Sequence, residues 1–240
     1  MKKVLVLGGG FAGVEAAIAL QKSKQFEVTL VSNRDYLYLY PVSIWIPVDG
    51  IKFENVKLPL KKIRKAFPFR LIIDRVIAVQ SAENRVQLAS QTLEYDYLVV
   101  AIGADKLQPK GVENTFTICG APEGNLAFRD AFRELVDKGQ GSIAIGFGGN
   151  HYLRKKGLRD RFELNFFAPM EQPGARMGKG AMKLMGTMFK KKNLHQYFGK
   201  KIKQFEQDGI VFEDDSKLTS DLTMFIAAGT GSSVFRNSDL

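Results

Sequence analysis

The sequence is poor in the residues that most often carry nucleophilic, acid–base or metal chemistry. Its 240 residues include one cysteine, two histidines and one tryptophan. A single cysteine, Cys119, excludes an internal disulfide and any Cys-x-x-Cys motif, which is typical of a reducing compartment. His151 and His195 are distant from each other in the sequence and from carboxylate clusters, so the pattern predicts neither a zinc site nor a catalytic triad. We expect a cytoplasmic protein without a metal, and we assign no catalytic residue.

The sequence also lacks an uninterrupted apolar run of the roughly 20 residues that a spanning helix needs. In the best candidate, residues 4–20, the glycines at positions 8–10 and then Glu15 break the run. Two lysines ahead of an apolar stretch superficially suit a secretion signal, but that signal needs a continuous apolar core and a cleavage site. Here the apolar pattern resumes as a second strand at residues 27–31, which favours a folded βαβ unit.

The charge is unbalanced, with 35 basic and 25 acidic residues and a formal net charge of +10. This excess favours anionic partners such as lipid headgroups, nucleic acid or a phosphorylated cofactor without choosing among them. A merely solvated basic surface accounts for it equally well. The hydrophobic content of 45% is enough for a buried core in one large domain or two ordinary ones.

The opening stretch KVLVLGGGFAGVEAAIAL has the pattern of a buried strand, a glycine turn and a helix. Gly8, Gly10 and Gly13 give the spacing G-x-G-x-x-G. The first glycine permits the tight turn, the second lets the backbone approach a pyrophosphate, and the third lets the helix pack closely on the strand. The bare amides and dipole of the helix N-terminus would then favour the phosphate charge. An acid usually binds the ribose about 20 residues later, and this chain has Ser32 and Asn33 there.

The pattern of the remaining sequence predicts a second domain that begins with the same strand, glycine turn and helix. We expect strands in residues 71–79, 84–88 and 93–103, a helix in 128–136, and a second strand running into glycines in 141–150. Further strands are expected in residues 162–168, 209–213 and 222–231. No low-complexity linker separates the halves.

Five stretches in order, GGGFAG, VTLVSNRDY, YDYLVVAIGA, IAIGFGG and FIAAGTG, carry a specific family resemblance. The chain resembles the flavoprotein branch of the pyridine nucleotide-disulfide oxidoreductases, with sulfide:quinone reductases and type II NADH dehydrogenases as the nearest kinds. The resemblance implies an α/β fold of two Rossmann-like, three-layer dinucleotide-binding domains. Residues 1–110 would begin the FAD-binding domain, and residues 111–240 would form an incomplete NAD(P)-type domain.

The resemblance also implies the site and the reaction. The flavin would pass electrons from a small donor, sulfide or NADH, to a quinone, so that NAD(P)H is a candidate substrate. The implied FAD contacts are Gly8, Gly10, Phe11, Ala12 and Gly13 at the pyrophosphate and Ser32 and Asn33 at the ribose. Val76 would contact the adenine edge, Ala101 and Gly103 would lie near the phosphates, and Pro41 would lie beside the flavin ring.

Three departures from the family pattern bear on the second domain. The second glycine turn has Gly146, Gly148 and Gly149, but His151 stands where the third glycine would be. Only residues 150–161 fill the place of a crossover helix. The sequence stops at Leu240, before the segment in which relatives carry a flavin-binding aspartate, so we expect a shortened second domain and a missing C-terminal region.

Several features keep two interpretations. Cys119 matches the place of an accessory cysteine of sulfide:quinone reductases, although a lone cysteine is more often a small apolar filler. Residues 178–192 place methionines among lysines, which suits either a core-filling helix of the second domain or a basic amphipathic helix on an anionic membrane. Tyr36, Tyr38, Tyr40 and Trp45 lie near lysines, but no nucleic-acid motif accompanies them. We expect no nucleic-acid partner.

Three kinds of protein therefore stay open. The first is an FAD-dependent enzyme, acting in the cytoplasm or peripherally on the inner face of the membrane. The second is a truncated or non-catalytic flavin- or nucleotide-binding module. The third is a basic membrane-surface adaptor. A homo-oligomer is compatible with each.

Overall fold

The computed structural model of the protein describes residues 1–119, 121–144, 148–172 and 174–239. The chain divides into two compact units whose segments alternate along the sequence. The first unit contains Met1–Leu39, Glu54–Leu107 and Ala228–Leu240, and the second contains Tyr40–Phe53 and Gln108–Ala227.

The strands, numbered along the chain, are β1 (Lys2–Leu7), β2 (Phe26–Ser32), β3 (Tyr36–Tyr38), β4 (Lys57–Pro59), β5 (Arg70–Ile73), β6 (Val76–Gln80), β7 (Arg85–Leu88), β8 (Thr92–Glu94), β9 (Tyr97–Val100), β10 (Asp105–Lys106), β11 (Gly141–Ala144), β12 (Phe162–Ala168), β13 (Leu194–Phe198), β14 (Ile202–Glu206), β15 (Gly209–Phe212), β16 (Lys217–Thr219), β17 (Leu222–Thr223) and β18 (Gly229–Thr230).

The α-helices are α1 (Phe11–Ser23), α2 (Tyr40–Ser43), α3 (Leu60–Ala66), α4 (Gly124–Asp137), α5 (Gly148–Lys155) and α6 (Lys179–Lys191). Short 3-10 turns lie at Ile46–Val48, Phe53–Val56, Ser81–Glu83, Val112–Asn114, Arg159–Arg161, Ala175–Met177 and Ser233–Asn237. Within the described ranges, no helix is both long enough and apolar enough to span a membrane.

The first unit is built on a parallel sheet in the order β5-β2-β1-β9. Because side chains alternate across a strand, β1 faces two layers. Val4 and Val6 pack with α1, whereas Leu5 and Leu7 pack with the antiparallel sheet β6-β7-β8. Helix, parallel sheet and antiparallel sheet therefore form three layers.

The last part of the chain returns to the first unit. β18 pairs antiparallel with β10, and the carboxylate of Asp105 accepts the N–H of Ser233 at 2.6 Å. The carboxylate of Asp239 accepts the N–H groups of Ser81 and Ala82 at 2.5 and 3.0 Å. These bonds attach the returning segment to β10 and to the turn after β6.

The second unit repeats the same three layers. Its parallel sheet has the order β13-β12-β11-β17. On one face the helices α4, α5 and α6 bury Phe132, Leu153 and Phe189 in one apolar cluster. On the other face the antiparallel sheet β14-β15-β16 buries Phe205 and Phe212. The structure thus confirms the predicted α/β class with two Rossmann-like, three-layer folds.

Three predicted strands were too long. Residues 71–79 divide into β5 and β6 because Asp74 turns the chain: its carboxylate accepts the N–H groups of Arg75 and Ser90. Residues 93–103 divide into β8 and β9 because the carboxylate of Asp96 accepts the N–H of Lys3 at 2.7 Å. The stretch 222–231 contains only the two-residue strands β17 and β18. In each case one predicted strand ends up in two different sheets.

Candidate functional site

The turn between β1 and α1 can be built only with glycine at its first position. Gly8 has φ +109°, and a Cβ there would lie 2.1 Å from the carbonyl oxygen of Ala101. The Gly8 N–H donates to the carbonyl of Val31 at 2.8 Å, and the Ala101 N–H donates to Leu7 at 2.8 Å. The turn is therefore pressed against the ends of β2 and β9, as the sequence predicts for the first glycine.

Two more glycines of this stretch are required by close contacts. A Cβ on Gly13 would lie 1.9 Å from the carbonyl oxygen of Gly8, so only glycine lets α1 approach the turn this closely. A Cβ on Gly9 would lie 2.2 Å from the Ser32 hydroxyl. The predicted packing role of Gly13 is present, and Gly9 has a packing role that the motif alone does not indicate.

Gly10 differs from these neighbours because nothing lies within 4 Å of the place where its Cβ would be. It is the N-cap of α1, and no side chain caps the helix there. Phe11 and Ala12, which follow it, are exposed. The first N–H groups of an α-helix have no partner within the helix, so this end offers bare amides and a positive dipole end to an anion.

A cleft of about 450 Å³ lies at the carboxyl end of the first unit's parallel sheet. Its volume is within the roughly 300–1,000 Å³ usual for ligand pockets. The lining residues are Gly8, Val31, Asn33, Asp74, Arg75, Val76, Ile77, Ile102, Asp105, Ser232, Ser233, Val234 and Asn237. Three of the predicted site residues, Gly8, Asn33 and Val76, therefore meet in one cleft.

A larger cavity, of about 610 Å³, lies at the other edge of the sheet and is lined by Lys3, Glu27 and Arg70 among others. Size alone would favour it. In open α/β sheets, however, ligands bind outside the carboxyl ends of the strands, where the glycine turn is. We therefore take the smaller cleft as the candidate site.

Ser32 is in the predicted place but its hydroxyl is already bonded. The side chain is buried, donates to the carbonyl of Arg34 at 2.7 Å and accepts the Arg34 N–H at 3.2 Å. The hydroxyl thus closes a local turn and packs on Gly9. Asn33, which is exposed and lines the cleft, is the better placed of the two predicted ribose contacts.

The remaining predicted residues are divided between the units. Ala101 is half-buried against the Gly8 turn, and Gly103 is exposed with φ +79° and open space at its Cβ position. Pro41 is an exposed residue of α2, which belongs to the second unit.

The cleft contains polar residues that the motifs did not indicate: Arg75, Asp105 and the segment from Ser232 to Val234. The N–H of Ser233 lowers the pKa of the Asp105 carboxyl, so this group is ionised at neutral pH. Hydrogen bonds from Ser90 likewise lower the pKa of Asp74. Because these two carboxylates outnumber Arg75, an anion in this cleft would depend chiefly on the backbone amides of the turn.

The corresponding turn of the second unit is only partly described, since Gly146 lies outside the described residues. α5 begins at Gly148, so the short crossover still contains a helix. Asn150 is fully buried and its amide donates to the carbonyl of Lys192 at 2.8 Å. His151, in the place of the third glycine, is exposed.

The other candidate residues occupy ordinary positions. Cys119 is half-buried against the apolar cluster of the second unit, and its N–H donates to the Thr117 hydroxyl. His195 is exposed on β13. Across the described part of the chain, no group of three or more histidine, cysteine, aspartate or glutamate side chains could hold a metal ion.

The repeated three-layer units and the glycine turn define a protein with dinucleotide-binding folds. The sequence pattern of the pyridine nucleotide-disulphide oxidoreductases matches residues 2–236. The chain belongs to this family, as the ordered motifs predicted, and FAD is the family's cofactor.

Similar proteins include two kinds of quinone-reducing enzyme. The chain is 29% identical over 97% of its length to the sulfide-quinone reductase of Aquifex aeolicus, and it spans 60% of that relative. A type II NADH:quinone oxidoreductase of Staphylococcus epidermidis is 30% identical over 57% of the chain, which spans 35% of that protein. The chain therefore covers less than two thirds of the length of each of these relatives.

Two solved structures have the same fold over nearly the whole chain. The sulfide:quinone oxidoreductase of Aquifex aeolicus superposes with a TM-score of 0.89 at 23% identity, over 99% of this chain and 61% of that one. NDH2 of Plasmodium falciparum, solved with NADH, superposes with a TM-score of 0.87 at 13% identity, over 99% of this chain and 57% of that one.

Proposed function

We propose that the first unit binds FAD in the cleft beside the β1–α1 turn and that the protein is an FAD-dependent oxidoreductase. The observation that carries the proposal is the open space at Gly10, next to a helix end without a side-chain cap. Gly8 and Gly13 permit contacts that a Cβ would prevent, whereas Gly10 leaves room for a ligand. The residues therefore fit a dinucleotide.

Each predicted residue has a task in this site. The amides of Gly10, Phe11 and Ala12 would bind the diphosphate, while Gly8 and Gly13 keep the helix end close to the sheet. Asn33 would bind the ribose and the backbone of Val76 the adenine edge. Ser32 acts indirectly, because its bonds to Arg34 support the turn against which Gly9 packs.

The remaining predicted residues would lie along the rest of the cofactor. Ala101 and Gly103 would border the phosphates, and Pro41 would lie beside the flavin ring. The bound flavin would supply the two-electron transfer, and the protein would supply binding, orientation and exclusion of water. The division into an FAD-binding part, residues 1–110, and an incomplete NAD(P)-type part, residues 111–240, belongs to this proposal.

The proposed reaction passes electrons from a small donor to a quinone. Both named relatives reduce quinones, and they differ in the donor, sulfide in one and NADH in the other. NADH requires a second unit that admits a dinucleotide, and the exposed His151 replaces the glycine that would allow close packing there. Sulfide chemistry requires reactive cysteines, and the chain has only Cys119. A quinone acceptor would place the enzyme at the inner face of the membrane.

A second candidate is a flavin-binding module without its own turnover. It is favoured by the single cysteine and by the exposed His151 in the place of the third glycine of the second turn. Both candidates predict flavin binding, and only the enzyme predicts bleaching of the bound flavin by a donor.

The proposal is tested by the visible absorption spectrum of the purified protein, reconstituted with FAD, in a Gly10→Leu variant. A leucine at Gly10 fills the open space, so we expect at least tenfold weaker FAD binding with an unchanged melting temperature. Gly180→Leu is the matched control, because its Cβ also meets nothing within 4 Å, on a helix of the second unit. Equal FAD binding by both variants and the wild type would refute the site.

Anaerobic addition of NADH or sulfide to the flavin-loaded protein then separates the donors. Bleaching by sulfide that a Cys119→Ser substitution abolishes would assign the thiol a role. Bleaching by NADH that survives this substitution would identify NADH as the donor without a role for the thiol. A flavin that neither donor bleaches supports the module.

A further inference from the structure

The helix α6 of the second unit presents one face to solvent. Lys183, Leu184, Thr187, Lys190 and Lys191 are exposed, and their spacing places them along a single stripe. The opposite face carries Phe189, which is 1% exposed in the apolar cluster of this unit. The helix is therefore held in the fold by one side only.

The stripe is basic without compensation. Residues 172–205 contain nine lysines and arginines and no acidic residue. Within the described ranges, no lysine of α6 takes part in an ion pair, whereas Lys200 and Lys203 farther along the same stretch pair with Asp214 and Asp215. The α6 charges therefore remain available to an anionic partner.

The end of α5 enlarges this charge. The amide of Asn150 and the guanidinium of Arg159 both donate to the carbonyl of Lys192, at 2.8 and 3.0 Å. Asn150 lies in the first turn of α5 and Arg159 just after the helix, and Arg154 donates to the Asn150 amide oxygen at 3.0 Å, so α5 lies beside the C-terminal end of α6. The resulting α5–α6 basic surface consists of Arg154, Lys155, Lys156, Lys190, Lys191 and Lys192.

Exposed aliphatic side chains are mixed with the charges along α6. Leu184 is 63% exposed, and Met177, just before the helix, is 70% exposed. A shallow groove of about 400 Å³ runs beside them; Met182, Lys183 and Met185 of α6 line it together with one acidic residue, Glu171. A single-stranded nucleic-acid surface would instead present aromatic rings for stacking, but Phe189 in this groove is buried.

We propose that α6 and the α5–α6 basic surface bind a bilayer that contains anionic phospholipids. The lysines would lie at the headgroup phosphates, and Leu184 and Met177 would enter the boundary with the acyl chains. Basic amphipathic helices bind membrane interfaces in this way. The proposal does not depend on flavin binding, because it rests on exposure and charge alone.

The test measures co-sedimentation of the whole chain with vesicles of phosphatidylcholine, with and without phosphatidylglycerol. The variant Lys190→Gln with Lys191→Gln removes two charges from the surface. Since each basic residue near an anionic surface contributes about 1 kcal/mol, we expect roughly tenfold to thirtyfold weaker binding to the anionic vesicles. Added salt should weaken binding of the wild type as well.

The matched control is Lys61→Gln with Lys62→Gln, which removes the same charge from exposed positions on α3 in the first unit. It should bind nearly as well as the wild type. An equal loss in this control would overturn the proposal, since net charge rather than α6 would then control binding. Equal binding to vesicles without phosphatidylglycerol would overturn it too.

A second measurement reports insertion directly. A Leu184→Trp variant should show a blue-shifted emission maximum of its added tryptophan with anionic vesicles. A Leu184→Ser variant should bind more weakly than the wild type. Unshifted emission, or tighter binding to single-stranded RNA than to vesicles, would contradict a lipid partner and in the second case identify a nucleic acid instead. Circular dichroism checks that each variant is folded.

Discussion

The two units have the same layers and the same strand order, but they hold their parts together differently. In the first unit, α1 meets the sheet through glycine contacts that leave no room for a Cβ. Among the described residues, the first unit buries one polar side chain, Ser32. The second unit buries seven: Ser43, Asn125, Asn150, Arg159, Asn165, Ser220 and Thr223.

The difference concerns how the helix after β1 and the helix after β11 are held in place. A turn held by backbone contacts and glycines keeps its amides free of side chains, so they remain available to a ligand. In the second unit, Asn150 and Arg159 use their hydrogen bonds to fasten α5 to the chain after α6. These bonds join two segments of the unit, although the buried Nε of Arg159 has no hydrogen-bond partner. Among the described residues, the first unit therefore has an open helix end at Gly10, and the second has buried hydrogen bonds between the α5 region and the chain after α6.

The largest effect should come from adding one methyl group to α1. In Gly13→Ala the new Cβ would lie 1.9 Å from the carbonyl oxygen of Gly8. Neither atom can move away by a side-chain rotation, because the positions of both are set by the backbone. We expect the free energy of unfolding to fall by about 3 kcal/mol, because overpacking forces the helix away from the turn. Urea denaturation measures this loss.

The same substitution in the second unit should have the opposite sign. Gly186 is in the interior of α6, and nothing lies within 4 Å of its Cβ position. Alanine is the better helix former, so Gly186→Ala should stabilise the protein by about 0.5–1 kcal/mol. If both variants lose similar stability, the first unit does not depend on glycine contacts in the way described.

The next prediction tests the buried hydrogen bonds that join the α5 region to the chain after α6 in the second unit. Arg159 is 7% exposed, and its guanidinium donates to the carbonyls of Phe162, Lys192 and Asn193. Arg159→Met keeps much of the side-chain volume but removes this donor from the carbonyls of Phe162 and Asn193, whereas the carbonyl of Lys192 keeps the bond from Asn150. We expect a loss of about 2 kcal/mol, since each unpaired buried group costs roughly 1–3 kcal/mol. Urea denaturation again provides the measurement.

Arg161→Met is the control for charge. Arg161 is exposed, so its replacement should change stability by no more than about 0.5 kcal/mol. A small loss in Arg159→Met, comparable with this control, would mean that the buried hydrogen bonds are not what holds α5 to α6.

The sequence predicted those parts of the fold whose causes are local. The β1–α1 turn follows from the spacing of Gly8, Gly10 and Gly13, and β12 was predicted at its observed bounds because its largely apolar run lies between Arg161 and Pro169. The helix predicted at residues 128–136 forms the C-terminal part of α4, which begins one turn earlier, at Gly124. Family, fold class and turn geometry could all be read from short patterns.

The parts that were missed depend on contacts between distant residues. Asp96 ends a predicted strand because it accepts the N–H of Lys3, 93 residues earlier. Asp105 and Ser233 meet in the cleft although 128 residues separate them. The bonded state of Ser32 is a local effect, yet serine at a ribose position does not reveal whether its hydroxyl is free. No periodic pattern encodes such pairings, so the cleft could be predicted only around its glycines.

The smallest expected effect concerns two carboxylates that are stabilised differently in the two units. In the second unit, Lys200 and the Ser216 hydroxyl lower the pKa of Asp214 from 3.8 to about 2. In the first unit, the N–H groups of Ser81 and Ala82 lower the pKa of Asp239. A carboxyl whose pKa is lowered by folding stabilises the protein above its unfolded pKa, and this contribution is lost as the pH falls through the folded value.

Asp214→Asn and Asp239→Asn should therefore each destabilise the protein at neutral pH, and the difference from the wild type should shrink as the pH falls from 3.8 towards about 2 for Asp214. Salt should separate the two. The pairing of Asp214 with Lys200 is an attraction between partly exposed charges. In 1 M NaCl the Debye length is about 3 Å, so added salt should weaken this attraction. Asp239 binds neutral amides, so most of its effect should persist. Urea denaturation of both variants at low and high salt measures this contrast, and equal salt sensitivity would show that the two carboxylates act through net charge rather than through their different partners.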